Sequence, residues 1–534
     1  MAITGDVKKT EVFVRKASGL VRTAGVWDVL AYNINFTSIG LLLVFLIMLG
    51  PAFYPGISMA WSAVICTLLL IPLSLVFGYL ASTMPRSGGD YVYVSRVLGP
   101  AWGMMSNFNC TIWWFFYGGV PSAFLARYGL APFFRTMGIF TQNLKLIEVG
   151  NWFASPLGMF IFGVLLITLL VYVFSRGMKD FFRIQNILII FAILSTVLSA
   201  LVFVGKNQAD VMAAFNTFIG PLSGKSDVAQ YVLTAARNLG YVVEPFSLKN
   251  TLLPMTWIYL NLSFMSSSAY IGSEVKDARR LQLWSMPVTL LVVGLGVLIT
   301  VILVGKSAGT DFLGSLAWLD PAELGMSSTP LYTELASYLS GNVVIAFLIT
   351  FGFIFWSYAW LPGQIINGSR NILAYSIDGL FPEWFRRVHP KLHTPVPALV
   401  TMGVMSIIAL GIYVFTPLFA TLVGIFGYIL SFGMVSIAAI LLPFRLPDVF
   451  ETSAVNQRLG KIPVITIIGV LSLISCIFMA AVFVLDPLSG MTPFMIGFNI
   501  VIFLSGLVVY YVARWVQARR GVDVSLSFKE IPKE

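Results

Sequence analysis

The sequence predicts an all-α polytopic membrane protein: twelve transmembrane helices with a five-plus-five inverted repeat and interrupted helices 1 and 6. Three observations lead there. Of 534 residues, 58% are hydrophobic and only 10% charged, with a mean hydropathy of +0.88, whereas about a quarter of a soluble chain is charged. Twelve apolar segments, each long enough to cross a bilayer, alternate with polar loops. Two of those segments carry small polar residues at their centres.

The segments lie near 26–50, 58–82, 101–126, 153–175, 182–205, 252–273, 282–305, 343–369, 397–415, 418–444, 463–485 and 491–513. Ahead of them, MAITGDVKKTEVFVRKASGLVRT is polar and basic, without the apolar stretch and cleavage site of a signal peptide. Residues 1–25 therefore read as a cytoplasmic N-terminal tail. Residues 26–205 read as the first five-helix repeat, 252–444 as the second, 463–513 as helices 11 and 12, and 514–534 as a cytoplasmic tail, mobile after Arg520. The long segments 206–250 and 306–342 read as external caps. Five helices is an odd number, so a second copy has to enter the membrane inverted.

The formal charge of +10 is spread over many short loops, which argues against a nucleic-acid partner. With the N-terminus inside, 25 of the 33 basic residues fall on the cytoplasmic side and eight outside. That is the positive-inside pattern of a multi-pass protein of the cell membrane with both termini cytoplasmic. Cys66, Cys110 and Cys476 fall in separate apolar segments and read as small buried hydrophobes. His389 and His393 share a proline-bearing loop, and no HExxH, GxSxG or phosphate-binding loop occurs. No metal, cofactor or catalytic residue is expected, and an intramembrane enzyme is a poor reading.

Helix 1 contains AYNINFTSIG, Ala31 to Gly40, and helix 6 contains SFMSSSAY, Ser263 to Tyr270. In hydrocarbon an unpartnered amide or hydroxyl costs roughly 2 to 7 kcal/mol, so each cluster packs against something or lines something. One such cluster alone reads as helix packing. Two in matched positions of an inverted repeat point to a transporter's midplane site. A helix broken there offers free amides near Ser38 to Gly40 and Ser267 to Ala269, which favour negative charge, and free carbonyls near Asn33 and Ser263, which favour positive charge. A small zwitterion such as an amino acid fits both. The candidate substrate-binding residues are Asn33, Asn35, Thr37, Ser38 and Gly40 on helix 1, with Ser263, Phe264, Ser266, Ser267, Ser268 and Tyr270 on helix 6. Phe264 and Tyr270 are also gate candidates, and Tyr428 and Ser431 in span ten are placed at the cavity.

Three loop motifs carry a further signal: MPRSGGDYVYVSRVLGP (Met84 to Pro100), SEVKDARR (Ser273 to Arg280) and SRNILAYSIDGLFPEWFRRVHPKLHTPVPAL (Ser369 to Leu399). Over about the first ten helices the chain resembles the amino acid-polyamine-organocation transporters. The resemblance implies the leucine-transporter-type fold and secondary active transport of amino acids or related amines, by alternating access around helices 1 and 6. It departs from the family in its scarcity of glycine at both interruptions, where NINFTSIG keeps only Gly40 and SFMSSSAY has none. Side chains then replace bare backbone as hydrogen-bonding groups.

The resemblance also implies a coupling ion, H+ or Na+. The helix-five lysine that some relatives use for protons is missing from ILIIFAILS. Ser357 either lends an oxygen to sodium beside helix-1 carbonyls or bonds to its own helix. Asp28 and Glu274, at the ends of spans one and six, are ion or gate candidates, and Glu274 pairs with a base as a gate or forms a plain surface ion pair. A non-coupled channel or facilitator, and a substrate sensor with the transporter fold, remain the alternatives.

Overall fold

The computed structural model describes residues 19–418 and 421–528, so the expectations for residues 1–18 and 529–534 lie outside the described residues. The first apolar segment folds as α1 (Val26–Thr37) and α2 (Ile39–Phe53). There follow α3 (Met59–Thr83), a short α4 (Asp90–Val97), α5 (Pro100–Phe124), α6 (Ala131–Phe140), α7 (Leu144–Ala154), α8 (Pro156–Ser175) and α9 (Met178–Val202). Three helices then cap one end of the molecule: α10 (Gln208–Ser223), α11 (Val228–Asn238) and α12 (Leu248–Leu252). The second half comprises α13 (Met255–Leu262), α14 (Ala278–Ala308), α15 (Thr310–Trp318), α16 (Tyr332–Ser340), α17 (Val343–Ile377), α18 (Val396–Phe415), α19 (Val423–Arg445), α20 (Pro447–Glu451), α21 (Val464–Leu485) and α22 (Pro493–Arg519).

Counting α1 and α2 as one, ten stretches among the described residues are long and apolar enough to cross a membrane: α1–α2, α3, α8, α9, α14, α17, α18, α19, α21 and α22. A helix apolar on every side has to face either a core or lipid. Both occur. The helices α1, α2 and α5 are almost wholly buried, while α8, α9, α21 and α22 turn rows such as Leu165, Leu169, Ile187, Ile190, Ile474, Ile477, Val501 and Val508 outward. Glycines let the inner helices close up: a Cβ on Gly119 would lie 2.2 Å from the Ser406 carbonyl oxygen, and one on Gly506 2.5 Å from that of Met104. Thus α5 sits against α8, α17, α18 and α22, while α3 runs along α14.

The segments near residue 24, 87, 271–275, 378 and 527 contact one another, so both described chain ends share one face, called here the terminal face. The C-terminal segment departs from expectation. It is docked as far as Phe528: Val524 and Ser527 are buried, Arg96 Nη2 donates to the Ser527 carbonyl at 3.5 Å, and the Arg96 guanidinium lies 4.8 Å from the Phe528 ring centroid. A cation over an aromatic face holds the segment down where its polarity suggested free movement.

Candidate functional site

Helix 1 breaks at a single residue. Ser38 adopts the left-handed conformation, φ 38° and ψ 70°, between α1 and α2. A side chain there costs about 1–2 kcal/mol, and the residue's own hydrogen bonds offset it. Its N–H donates to the Asn35 carbonyl at 2.9 Å and its Oγ to the Trp356 carbonyl of α17 at 2.8 Å. Thr37 Oγ1 donates to the Ile34 carbonyl at 2.7 Å. The freed carbonyls therefore belong to the turn ending at Thr37, one turn beyond the expected Asn33. Gly40 packs closely on α17: a Cβ there would lie 2.5 Å from Trp356 Cβ.

Helix 6 unwinds differently from expectation. The α-helix α13 ends at Leu262 and the chain tightens into a 3-10 helix over Ser263–Tyr270, followed by a second over Gly272–Glu274. No second α-helical half begins at Ser267 to Ala269. The serines explain this locally: Ser266 Oγ donates to the Ser263 carbonyl at 3.4 Å and Ser267 Oγ to the Phe264 carbonyl at 2.6 Å. Both reach back three residues, which is the 3-10 interval.

The two interruptions are bonded to each other. Asn33 Nδ2 donates to Ser268 Oγ at 3.0 Å, and Asn33 Oδ1 accepts the Ser268 N–H at 2.8 Å. Ser268 Oγ donates in turn to Gln282 Oε1 at 2.7 Å, and Gln282 Nε2 returns a bond to the Ser268 carbonyl at 2.8 Å. Asn33 and Ser268 are thus a clamp between helices.

Beside the clamp lies a cluster of rings. Phe264 stands with its centroid 5.3 Å from Phe36, 5.3 Å from Tyr428, 5.6 Å from Trp114 and 6.0 Å from Trp360. Tyr270 packs edge-on to Trp114 at 5.4 Å. Asn35, 9% exposed, is the most open polar candidate of helix 1, and Ser263 Oγ is buried without a hydrogen-bond partner among the described residues. The structure therefore leaves Asn35, Ser263, Phe264, Tyr270 and Tyr428 around the centre and binds the other serines, Asn33 and Thr37 internally. Ser431 is turned to α5, donating to the Ser106 carbonyl at 2.7 Å and accepting from Asn109 at 2.8 Å.

The two faces of the molecule differ. On the face opposite the chain ends, a cavity of about 200 Å³ is lined by Val44, Phe45, Met48, Arg127, Tyr128, Trp257, Ser328, Leu331 and Thr421 among others. Phe45 and Trp257, 5.0 Å apart, stand among its walls. Nearby, Arg135 grips Glu334 through Nε at 2.8 Å and Nη2 at 2.6 Å and also donates to the Ser328 carbonyl at 2.9 Å. Asp486 accepts from Tyr54 Oη at 2.8 Å and Thr256 Oγ1 at 2.6 Å, and burial pushes its carboxyl above the ordinary value.

The terminal face is shut. Arg370 Nε donates to Glu274 Oε1 at 2.8 Å and Nη2 to Oε2 at 3.2 Å, and both side chains are buried. The Glu274–Arg370 pair is thus buried, not a surface one. Its carbonyl accepts the N–H groups of Thr23 and Ala24 at 2.9 and 3.0 Å. Gly272 lies so close to the α3–α4 loop that a Cβ would come 2.9 Å from Arg86 N. Asp28 is a cap and a tie: it accepts from Gly25 N–H at 2.8 Å and from Asn186 Nδ2 of α9 at 2.6 Å. Ser357 Oγ reaches its own helix at the Phe353 carbonyl, 3.4 Å away, while the Ser38 bond to Trp356 joins the helix-1 break to α17.

Two buried ionic features have little local signal in the sequence: the Arg135–Glu334 pair and the acid Asp90 at the start of α4. Only the position of Asp90, after two glycines and at a helix N-terminus, hinted at the second.

A cavity on one face, a buried ion pair on the other and two interrupted helices bonded to each other make up the candidate site. The sequence model described as amino acid permease matches residues 28–508. The chain belongs to the amino acid permease family. This permease is 23% identical over 457 residues to the cystine/glutamate transporter of Homo sapiens, covering 84% of this chain and 76% of that one. It is 24% identical over 473 residues to a branched-chain amino acid permease of Bacillus subtilis, covering 84% and 86%, and 21% identical over 428 residues to the methylthioribose transporter of that organism, covering 79% of each. The permease is a multi-pass membrane transporter for amino acids and not an enzyme.

Proposed function

We propose that this permease is a secondary active transporter that moves an amino acid or related amine across the cell membrane by alternating access, coupled to H+ or Na+. The observation that carries the reading is the pair of breaks, at Ser38 and over Ser263–Tyr270, bonded to each other through Asn33 and Ser268 between a cavity on one face and the buried Glu274–Arg370 pair on the other. The terminal face is then cytoplasmic, as the basic residues require, and the conformation is outward-facing.

Twelve crossings fit the path of the chain. The helix α3 ends on the terminal face and α8 begins on the other, so α5 crosses between them, and α13 with the 3-10 segment crosses between α9 and α14. Numbered in that way, helices 1 and 6 open the two halves of a five-plus-five repeat. The ring cluster around Phe264 favours a substrate with an apolar side chain, its amino and carboxyl groups meeting Asn35, Ser263 and the backbone at the breaks.

A thermal-shift screen of amino acids, amines and carboxylates would find the ligand, and uptake into proteoliposomes under separately imposed proton and sodium gradients would find the coupling. Saturable accumulation against a gradient is expected. Non-saturating flux would favour a channel, and binding without counterflow a sensor. Asn35→Leu should lose the ligand-induced shift while the ligand-free Tm holds; an undiminished shift would remove Asn35 from the site.

A further inference from the structure

Asp90 is fully buried at the first turn of α4. Its Oδ1 accepts from Asn107 Nδ2 of α5 at 2.8 Å, and its Oδ2 has no hydrogen-bond partner among the described residues. The titratable groups around it are Cys110 of α5, Tyr270 of the 3-10 helix, Tyr375 of α17, Tyr428 of α19 and Tyr93 on its own helix. None is a base. Arg96, the cation of α4, is forked onto Asp378 at 2.7 and 2.9 Å. A buried carboxylate without a counter-charge is costly, so burial here favours uptake of a proton. Burial raises this carboxyl to about 6.

A polar line leads to Asp90 from the middle of the molecule. Gln364, Asn367, Asn371 and Tyr375 share one face of α17 by their spacing. Tyr375 donates to Asn107, the residue that holds Asp90, and Thr111 links Tyr375 at 2.7 Å with Asn371 at 3.0 Å. Farther along, both amide atoms of Gln364, Nδ2 of Asn367 and Oδ1 of Asn371 are buried without partners among the described residues. Groups of this kind take up water.

Asp90 also sits beside the interruption of helix 6. The N–H of Gly88 donates to the Tyr270 carbonyl at 3.2 Å, and a Cβ on Gly89 would come 3.0 Å from the Tyr270 ring. The 3-10 helix thus rests on the turn that presents Asp90, so an opening of the terminal face in the proposed cycle would uncover that turn to water.

We propose that Asp90 is the proton-binding site of the transport cycle, protonated through the polar line of α17 while the terminal-face gate is shut and ionised when that gate opens. One O–H bond forms on Asp90 in the outward-facing state and the same bond breaks on the cytoplasmic side, so one proton accompanies each inward passage and no electrons move. The proposal rests on the reading of the protein as a coupled transporter and selects H+ over Na+.

The test uses full-length protein in liposomes that enclose a pH-sensitive dye, with the amino acid found by thermal shift as substrate. An acid-outside gradient should drive accumulation, with internal acidification in step. In Asp90→Asn, accumulation should fall to the level reached without a gradient while exchange of labelled for unlabelled substrate persists, and Asp90→Glu should restore it. Gradient-driven accumulation by Asp90→Asn equal to the wild type overturns the proposal and leaves transport standing. If that variant fails to fold, the wild-type dye trace decides, and uptake without acidification overturns the proposal. Absence of exchange by the wild type with every amino acid overturns the transport reading instead.

Discussion

Replacing Glu274 by Gln should open the terminal-face gate. Glu274 and Arg370 are both buried, at 2% and 0% side-chain exposure, and share two hydrogen bonds. Loss of one partner leaves the other charge buried and uncompensated, which costs about 3–5 kcal/mol. The cost falls on the closed state alone, because opening separates the 3-10 segment from α17 and hydrates Arg370. The closed-to-open ratio should then drop roughly 150- to 5,000-fold. The assay is the rate at which a hydrophilic maleimide labels Ser87→Cys in solubilised protein, because Ser87 lies buried in this gate against Ser273 while the native cysteines are buried. Labelling should rise steeply in Glu274→Gln. It should fall back toward the parent when Arg370→Met is added, since removing both charges leaves no orphan. Equal labelling rates in parent and Glu274→Gln would refute the gate assignment, and additive effects in the double variant would refute the pairing argument.

Other outcomes follow from the same geometry. Gly40→Ala should cost about 1–3 kcal/mol by overpacking against Trp356, measured as a lower Tm, and should slow uptake. Glu334→Gln should raise hydrogen exchange in 331–340, because Glu334 both pairs with Arg135 and accepts the Leu331 N–H at 2.8 Å. The Asp486 carboxyl is raised in the folded protein, so its contribution is complete below the ordinary carboxylate range and is lost as pH rises through the raised value. The wild-type Tm should fall across that window, and that of Asp486→Asn should fall less, since the raised Asp90 carboxyl still titrates there.

Composition exposed the broken helices because amides and hydroxyls in an apolar run are costly enough to be anomalies wherever they stand. Their exact use was not legible. Whether helix 1 breaks at Asn33 or at Ser38 depends on a carbonyl at Trp356, 318 positions away, and the 3-10 course of helix 6 depends on each serine choosing the carbonyl three residues back. Acids show the same limit. Glu334 lies in the segment that reads as an external cap, and only Arg135, 199 positions earlier, gives it a buried partner. Asp90 stood in a loop motif, and nothing local says that α5, α17 and α19 enclose it.

The scarcity of glycine at the two interruptions has a physical consequence for how the halves move. A glycine break leaves bare backbone that can change conformation without breaking a side-chain bond. Here Ser38 is tied to α17, and Asn33 holds Ser268 by two bonds while Ser268 holds Gln282 of α14. Swinging the 3-10 segment away from the terminal face therefore requires Asn33 to follow or the buried Ser268 N–H to lose its partner, at about 1–3 kcal/mol. Following is the cheaper course. In the proposed cycle the clamp would carry α1, the 3-10 segment and α14 as one unit hinged at Ser38 against α17, so that these side chains couple the two breaks.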